Sequence, residues 1–244
     1  MIRLSVNINK IATVRNSRGG NVPSVLQAVA VCLKAGAPGI TVHPRADERH
    51  ITRRDVYEIA AELAPVRDTI EFNIEGDPRP DLLDLVTEVR PHQCTLVPVH
   101  PGEITSQAGW SPDTSRDEMR KTIDRLHASN VRVSLFVDPE LEPVRWAASL
   151  GADRIELYTE PYARAFEAGG EVLEASFKKF ADAARLAHEL GLGVNAGHDL
   201  DLANLPKFRE LPHLDEVSIG HALISRALFV GLETVVGEYL AILR

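Results

Sequence analysis

Cysteine is scarce in this chain of 244 residues: only Cys32 and Cys94 occur, each among apolar neighbours. That excludes a small domain stapled by disulfides and predicts two buried free thiols. Long hydrophobic runs are missing as well, none approaching the ~20 residues that span a bilayer. The opening MIRLSVNINK lacks the long apolar stretch of a secretory signal, so a cytoplasmic protein is expected. Positive charge is in deficit, with a formal net charge of −8 and no Lys/Arg-rich run interleaved with aromatics, which argues against a nucleic-acid surface. The acidic total does not exclude phosphate ligands, because a few gathered cations and backbone N–H groups suffice locally. No linker, low-complexity stretch or shift of composition divides the chain, which predicts a single domain over residues 1–244.

What is present is rhythm. Short β-rich apolar runs at 4–8, 39–42, 70–74, 93–97, 132–137, 154–157, 193–195 and 216–219 alternate with amphipathic segments. The latter, at 22–35, 53–64, 80–89, 117–129, 140–150, 173–190, 201–210 and 223–243, repeat apolar residues at three- and four-residue spacing, as one buried helix face requires. Strict alternation predicts parallel strands covered by helices, and eight repeats in a chain near ~250 residues predict an α/β fold closed as a (β/α)8 TIM barrel. A doubly wound open sheet is the alternative. Two connections break the rhythm: PVHPGEITSQAGWSPDTS at 98–115, long and rich in Gly, Pro, Ser and Thr, is expected as a lid, and YTEPYARAFEAGGE at 158–171 as a loop with a short extra helix.

Barrel enzymes carry their chemistry at the C-terminal ends of the strands. Those ends here hold Asn7-Ile8-Asn9-Lys10, His43-Pro44-Arg45, Asn73 with Glu75, Glu156, Asn195-Ala196-Gly197-His198-Asp199 and Gly220-His221. Six of eight strand ends therefore bear groups suited to proton transfer or phosphate binding. Glu75 at a buried strand end needs a partner or a purpose. Glu156 lies between Ile155 and Leu157 and so points into the pore, where an internal salt bridge is its bland explanation. His43 could be a turn histidine, the run from His43 to His50 a solvated charged loop, and Arg15 and Arg18 surface charges. The twin endings Asn-Ala-Gly-His and Ser-Ile-Gly-His let backbone approach an anion, although plain turn glycines would look the same.

These residues resemble one family along essentially the whole chain. The segments are VNINKIATVRNSRGG (6–20), GITVHPRADERHIT (39–52), EFNIEG (71–76), LVPVHPGEIT (96–105), VSLFVD (133–138), IELYT (155–159), VNAGHDL (194–200) and SIGHALISRALFVGL (218–232). In that order they are similar to the pyridoxine 5'-phosphate synthases. The resemblance implies a barrel that joins 1-deoxy-D-xylulose 5-phosphate to 3-amino-2-oxopropyl phosphate, giving pyridoxine 5'-phosphate, phosphate and water, with no metal or organic cofactor. It implies His43 and Glu75 as general bases, His198 as general acid and Glu156 as a stabiliser of charged intermediates. Asn7, Asp199, Gly220 and His221 match positions that contact the amino-ketone phosphate; Arg18, Arg45, His50 and Thr105 match those that contact the deoxyxylulose phosphate. It further implies a homo-octamer built from dimers, with Arg18 reaching a neighbour's site, and no nucleic-acid or membrane partner.

Two departures stand out. Many members carry Asp-His where this chain has Asn9-Lys10, and Gly where it has Asp199; Lys10 is expected to take over a contact with substrate phosphate or hydroxyl, and Asp199 to bind through its backbone N–H. Rival functions are a Schiff-base aldolase using Lys10, a metal-dependent hydrolase using His43, Glu75 and His198, and a non-catalytic phosphate-binding barrel. No His-x-His pair on the first strand supports the second.

Overall fold

Alternation along each strand builds the architecture. In the computed structural model, which describes residues 1–99 and 107–244, eight strands close a parallel barrel in chain order. They are β1 (Arg3–Asn7), β2 (Gly39–Val42), β3 (Glu71–Gly76), β4 (Gln93–Leu96), β5 (Arg132–Val137), β6 (Arg154–Tyr158), β7 (Gly193–Gly197) and β8 (Leu214–Ile219). β8 pairs back onto β1 with Arg3 opposite Glu216 and Val6 opposite Ile219, so the open-sheet alternative falls.

Alternate strand residues face outward and are apolar: Leu4 and Val6, Ile40 and Val42, Ile155 and Leu157 are all fully buried under the helices. The other register faces the barrel axis and is largely polar. Ser5 Oγ lies 2.6 Å from Thr41 Oγ1, Asn73 Nδ2 donates to Thr41 Oγ1, and Thr95 Oγ1 donates to Asn73 Oδ1. At the floor Arg132 binds Glu71 and Arg154 Nη1 donates to Asn195 Oδ1 at 2.7 Å. Barrel interiors are more often filled by Val, Ile and Leu. A polar axis survives burial here because its members bond one another. It also places Asn195 deep in the barrel, below the rim where its position in the sequence suggested.

The helices are α1 (Asn9–Asn16), α2 (Val25–Lys34), α3 (Arg53–Leu63), α4 (Pro80–Val89), α5 (Arg116–His127), α6 (Leu141–Leu150), α7 (Glu160–Ala168), α8 (Gly170–Glu189), α9 (Leu205–Phe208), α10 (His221–Val230) and α11 (Leu232–Leu243). α1 is additional to the expected elements, and two of the predicted helices differ from expectation. The predicted single helix at 223–243 is broken at Gly231, whose φ of +89° a helix cannot carry, giving α10 and α11. The segment 201–210 reduces to the single turn of α9, because Asp201 and Asn204 side chains bond local backbone N–H groups in place of a longer helix. The connection at 158–171 holds a nine-residue helix, α7, pinned by Tyr162, whose hydroxyl donates to the Asn204 carbonyl. Of the expected lid, residues 100–106 lie outside the described residues, Thr105 among them. The stretch that follows is docked on the barrel top: Trp110 donates through its backbone N–H to the Phe136 carbonyl and through Nε1 to the Leu96 carbonyl, each at 2.8 Å.

No helix among the described residues is long and apolar enough to cross a membrane. Cys32 and Cys94 are buried and free, as expected.

Candidate active site

Eleven of the residues singled out in the sequence come together around one cavity of about 280 Å³ at the C-terminal mouth of the barrel. Asn7, Lys10, His43, Arg45, His50, Glu75, Glu156, His198, Asp199, Gly220 and His221 all line it. Arg18 does not; it is exposed at the end of the turn after α1. Parallel closure explains the gathering, since every strand of a parallel barrel delivers its C-terminal residue to the same rim.

His43 follows β2 directly and is buried, with its backbone N–H held by Asn9 Oδ1 at 2.9 Å. Burial, then the nearby positive charge of Arg45, pushes its pKa well below the usual imidazole range, so it is neutral at physiological pH. Its Nδ1 sits 3.8 Å from Glu75 Oε2, and its Nε2 has no hydrogen-bond partner among the described residues. A neutral, desolvated imidazole with an open nitrogen has the properties of a general base.

Glu75, pushed up to about 7 mainly by burial, is poised to take or release a proton. Asn7 Nδ2 donates to its Oε2 at 3.3 Å, and Ser218 Oγ lies 3.5 Å from its Oε1. Glu156 points into the pore as alternation required; burial, then the charge of Glu75, drives its pKa well above the carboxylate range. No ion pair among the described residues engages it, so the salt-bridge explanation does not hold, and its Oε2 lacks a hydrogen-bond partner. The carboxylate packs against Gly197, where an added Cβ would stand 2.2 Å from Oε1. That close approach is why a glycine occupies the last position of β7.

One flank of the cavity is cationic: Lys10, Arg45 and Arg49 stand with His50. The His50 pKa falls to about 4 through burial, then the charges of Arg45 and Lys10. Its Nδ1 accepts the Ile51 backbone N–H at 2.9 Å, leaving Nε2–H as a neutral donor. The loop that carries it is tied down from behind. Arg15 bonds both oxygens of Asp55 and, with Asn16, donates to the His50 carbonyl. Asp55 completes a capping box with Thr52 at the start of α3. Burial alone would raise the Asp55 pKa, but the bonds from Arg15 and Thr52 outweigh it and lower the value.

On another side the first turn of α10 lines the cavity through Gly220, His221 and Ala222, and no side chain caps it. Its free N–H groups and the positive end of the helix dipole suit an anion. Sequence reasoning missed Arg49, which nothing in a charged loop distinguishes, and the apolar wall of Val97 and Phe136, with which Tyr158 packs. Among the described residues no group of three or more His, Cys, Asp or Glu side chains could hold a metal ion.

The geometry of barrel and site has known counterparts. Residues 4–244 match the model of a family described as pyridoxal phosphate biosynthesis protein PdxJ. The chain is 52% identical over 240 residues to the pyridoxine 5'-phosphate synthase of Porphyromonas gingivalis, covering 98% of each. It is 53% identical over 245 residues to that of Bacteroides fragilis and 54% identical over 245 residues to that of Christiangramia forsetii, each match covering 100% of both chains. Among solved structures, a thiamine phosphate pyrophosphorylase from Pyrococcus furiosus superposes with a TM-score of 0.64 at 15% identity, covering 99% of this chain and 95% of that one. A 3-hexulose-6-phosphate synthase gives 0.63 at 12% identity with 100% of both chains covered. At such identities these two structures speak for the fold alone.

Proposed function

The chain belongs to the family of pyridoxal phosphate biosynthesis protein PdxJ, and from that premise we infer that it acts as a pyridoxine 5'-phosphate synthase of vitamin B6 biosynthesis. The reaction condenses 1-deoxy-D-xylulose 5-phosphate with 3-amino-2-oxopropyl phosphate. The observation that carries the reading is the composition of the one cavity. A neutral buried His43 and a Glu75 held near 7 share it with two separate anion sites, a cationic flank and an uncapped helix start. Two phosphorylated substrates need two such sites, and their ring closure needs several proton transfers between them.

In this reading the amine of one substrate attacks the ketone of the other, and imine formation releases water. The imine rearranges to an enamine that loses water and then phosphate, water adds to the carbon that phosphate left, and an aldol-type closure with loss of water leaves the aromatic ring. His43 and Glu75 remove protons, His198 returns one to a departing oxygen, and Glu156 balances positive charge that develops on the substrate nitrogen. Lys10, Arg45 and His50 hold the deoxyxylulose phosphate, with Thr105 joining them. Asn7, the N–H groups at Asp199 and Gly220, and His221 hold the amino-ketone phosphate. Neither a metal nor an organic cofactor is required. The enzyme acts in the cytoplasm as a homo-octamer in which Arg18 reaches a neighbouring site, consistent with the exposure of Arg18, Leu228 and Phe229 on the single chain.

The test is incubation of the purified protein with both phosphates and a chelator, following pyridoxine 5'-phosphate by mass and fluorescence together with released phosphate. Product and phosphate in equal amounts are expected. Absence of product while both substrates bind would overturn the assignment, and borohydride trapping of an adduct on Lys10 would put an aldolase in its place.

A further inference from the structure

The chain leaves β7 in a conformation that side-chain-bearing residues seldom adopt. His198 and Asp199, neither of them glycine, have φ of +85° and +51°. Consecutive left-handed residues persist only where their surroundings over-determine them. The Thr159 hydroxyl reaches the carbonyls of both Gly197 and His198, and Asn204 Nδ2 donates to the Asp199 carbonyl at 3.0 Å. In an extended strand neighbouring side chains diverge to opposite faces. This turn instead brings them together, with His198 Nδ1 2.6 Å from Asp199 Oδ2.

We propose that the Asp199 side chain is a positioning residue for His198: it holds Nδ1–H and leaves Nε2 as the nitrogen that delivers a proton into the cavity. The inference rests on the reading of His198 as the general acid. The carboxylate acts in two ways. It selects the Nδ1–H tautomer that remains once Nε2 has given up its proton, so the ring does not have to turn during the reaction. Through the 2.6 Å contact it also holds the ring in one rotation, with Nε2 turned away from Asp199. A carboxylate that faced a phosphate site unpaired would repel the substrate; the bond to His198 absorbs that charge. Other groups also stand around the imidazole. Tyr158 stands edge-on at 5.4 Å between ring centroids, and burial pushes its pKa up to about 12, so it stays neutral. His221 approaches Asp199 from α10, and Glu156 packs behind Gly197. A role for the residue at 199 confined to its backbone N–H leaves the 2.6 Å contact without a consequence.

The experiment compares the intact enzyme with Asp199→Asn and Asp199→Gly, measuring kcat and both KM values from neutral to basic pH and the 15N-imidazole signals of His198. Asn keeps the shape without the charge; Gly keeps the left-handed backbone without the side chain, so a variant that folds is available either way. In both, kcat is expected to fall about ten- to a hundredfold, the loss typical when a histidine's carboxylate partner is removed. Both KM values should stay within about twofold. The 15N signals should show that the Nδ1–H tautomer of the parent enzyme is no longer favoured. Unchanged kcat and an unchanged His198 tautomer in both variants would overturn the proposal, as would a raised KM with unmoved kcat, which assigns the side chain to substrate binding. If the parent enzyme makes no pyridoxine 5'-phosphate, the functional reading fails on its own. The imidazole 15N signals then still decide whether Asp199 holds His198.

Discussion

Replacing Glu75 by Gln should stabilise the folded chain at alkaline pH while removing its activity. The residue is 8% exposed at the end of β3, with Asn7 Nδ2 at 3.3 Å and Ser218 Oγ at 3.5 Å beside its oxygens. Burial is the largest influence on it and pushes the pKa from 4.5 to about 7. Because the folded state keeps a proton that the unfolded chain has already released, stability falls as pH rises between about 4.5 and about 7. That gap corresponds to about 3 kcal/mol, nearly all of it lost by pH ~8 and less than about 1 kcal/mol of it by pH ~5. Gln carries no charge at any pH and nearly the same volume. The variant should therefore exceed the parent by about 3 kcal/mol at pH ~8, or roughly 6–12 °C in Tm for a chain of this size, with most of the difference gone at pH ~5. An amide left short of a partner in the pore would lower stability equally at both pH values, so the comparison across pH isolates the proton. Thermal and urea unfolding of the two proteins at both pH values measure the effect, and the variant's kcat should drop at least about a hundredfold. A stability difference independent of pH, or a variant less stable at the higher pH only, would refute the reasoning.

Three other perturbations separate the parts of the site. Lys10→Met should raise the KM for deoxyxylulose phosphate about tenfold or more with little change in kcat, as loss of one charged hydrogen bond does; unchanged Michaelis constants for both substrates would remove Lys10 from the phosphate site. Arg15→Ala leaves Asp55 with 7% side-chain exposure and without its bidentate partner. Denaturant unfolding should show a loss of about 3 kcal/mol, and the same KM should rise as the His50 loop loosens. Gly197→Ala puts a methyl group where the Glu156 carboxylate lies, 2.2 Å from Oε1. The expected result is a lower kcat with substrate binding retained in calorimetry, whereas full activity would show that Glu156 can move without consequence.

Much of this was readable before any coordinates because a strand's period is two. The outward row of Leu4, Val6, Ile155 and Leu157 announced helices on the outside, and the same parity turned Glu156 inward. Parallel closure then carried Asn7, His43, Glu75 and Gly220 to one rim without further information. Asn195 was misplaced for a related reason: a strand's end can be estimated only to within a few residues, and β7 runs on to Gly197, leaving Asn195 within the strand with its side chain bonded to Arg154. The division of 223–243 by Gly231 followed from a backbone angle that a glycine permits but does not compel.

The pairing of His198 with Asp199 shows where sequence reasoning stops. Adjacent residues are expected on opposite faces, and a positive φ at two residues with side chains is set by what lies around them: the Thr159 hydroxyl after β6 and the Asn204 amide before α9. Those contacts reach across 39 or so residues in one case and five in the other, so no local pattern records them. The same holds for charge. Glu75 and Glu156 differ from the many surface carboxylates of an acidic chain only in being buried beside one another, and burial is a property of the closed barrel. Residue types at the rim can thus be read from the strands, while their protonation and orientation follow from closure. The chemistry of this site accordingly depends on the whole barrel more than on any one of its motifs.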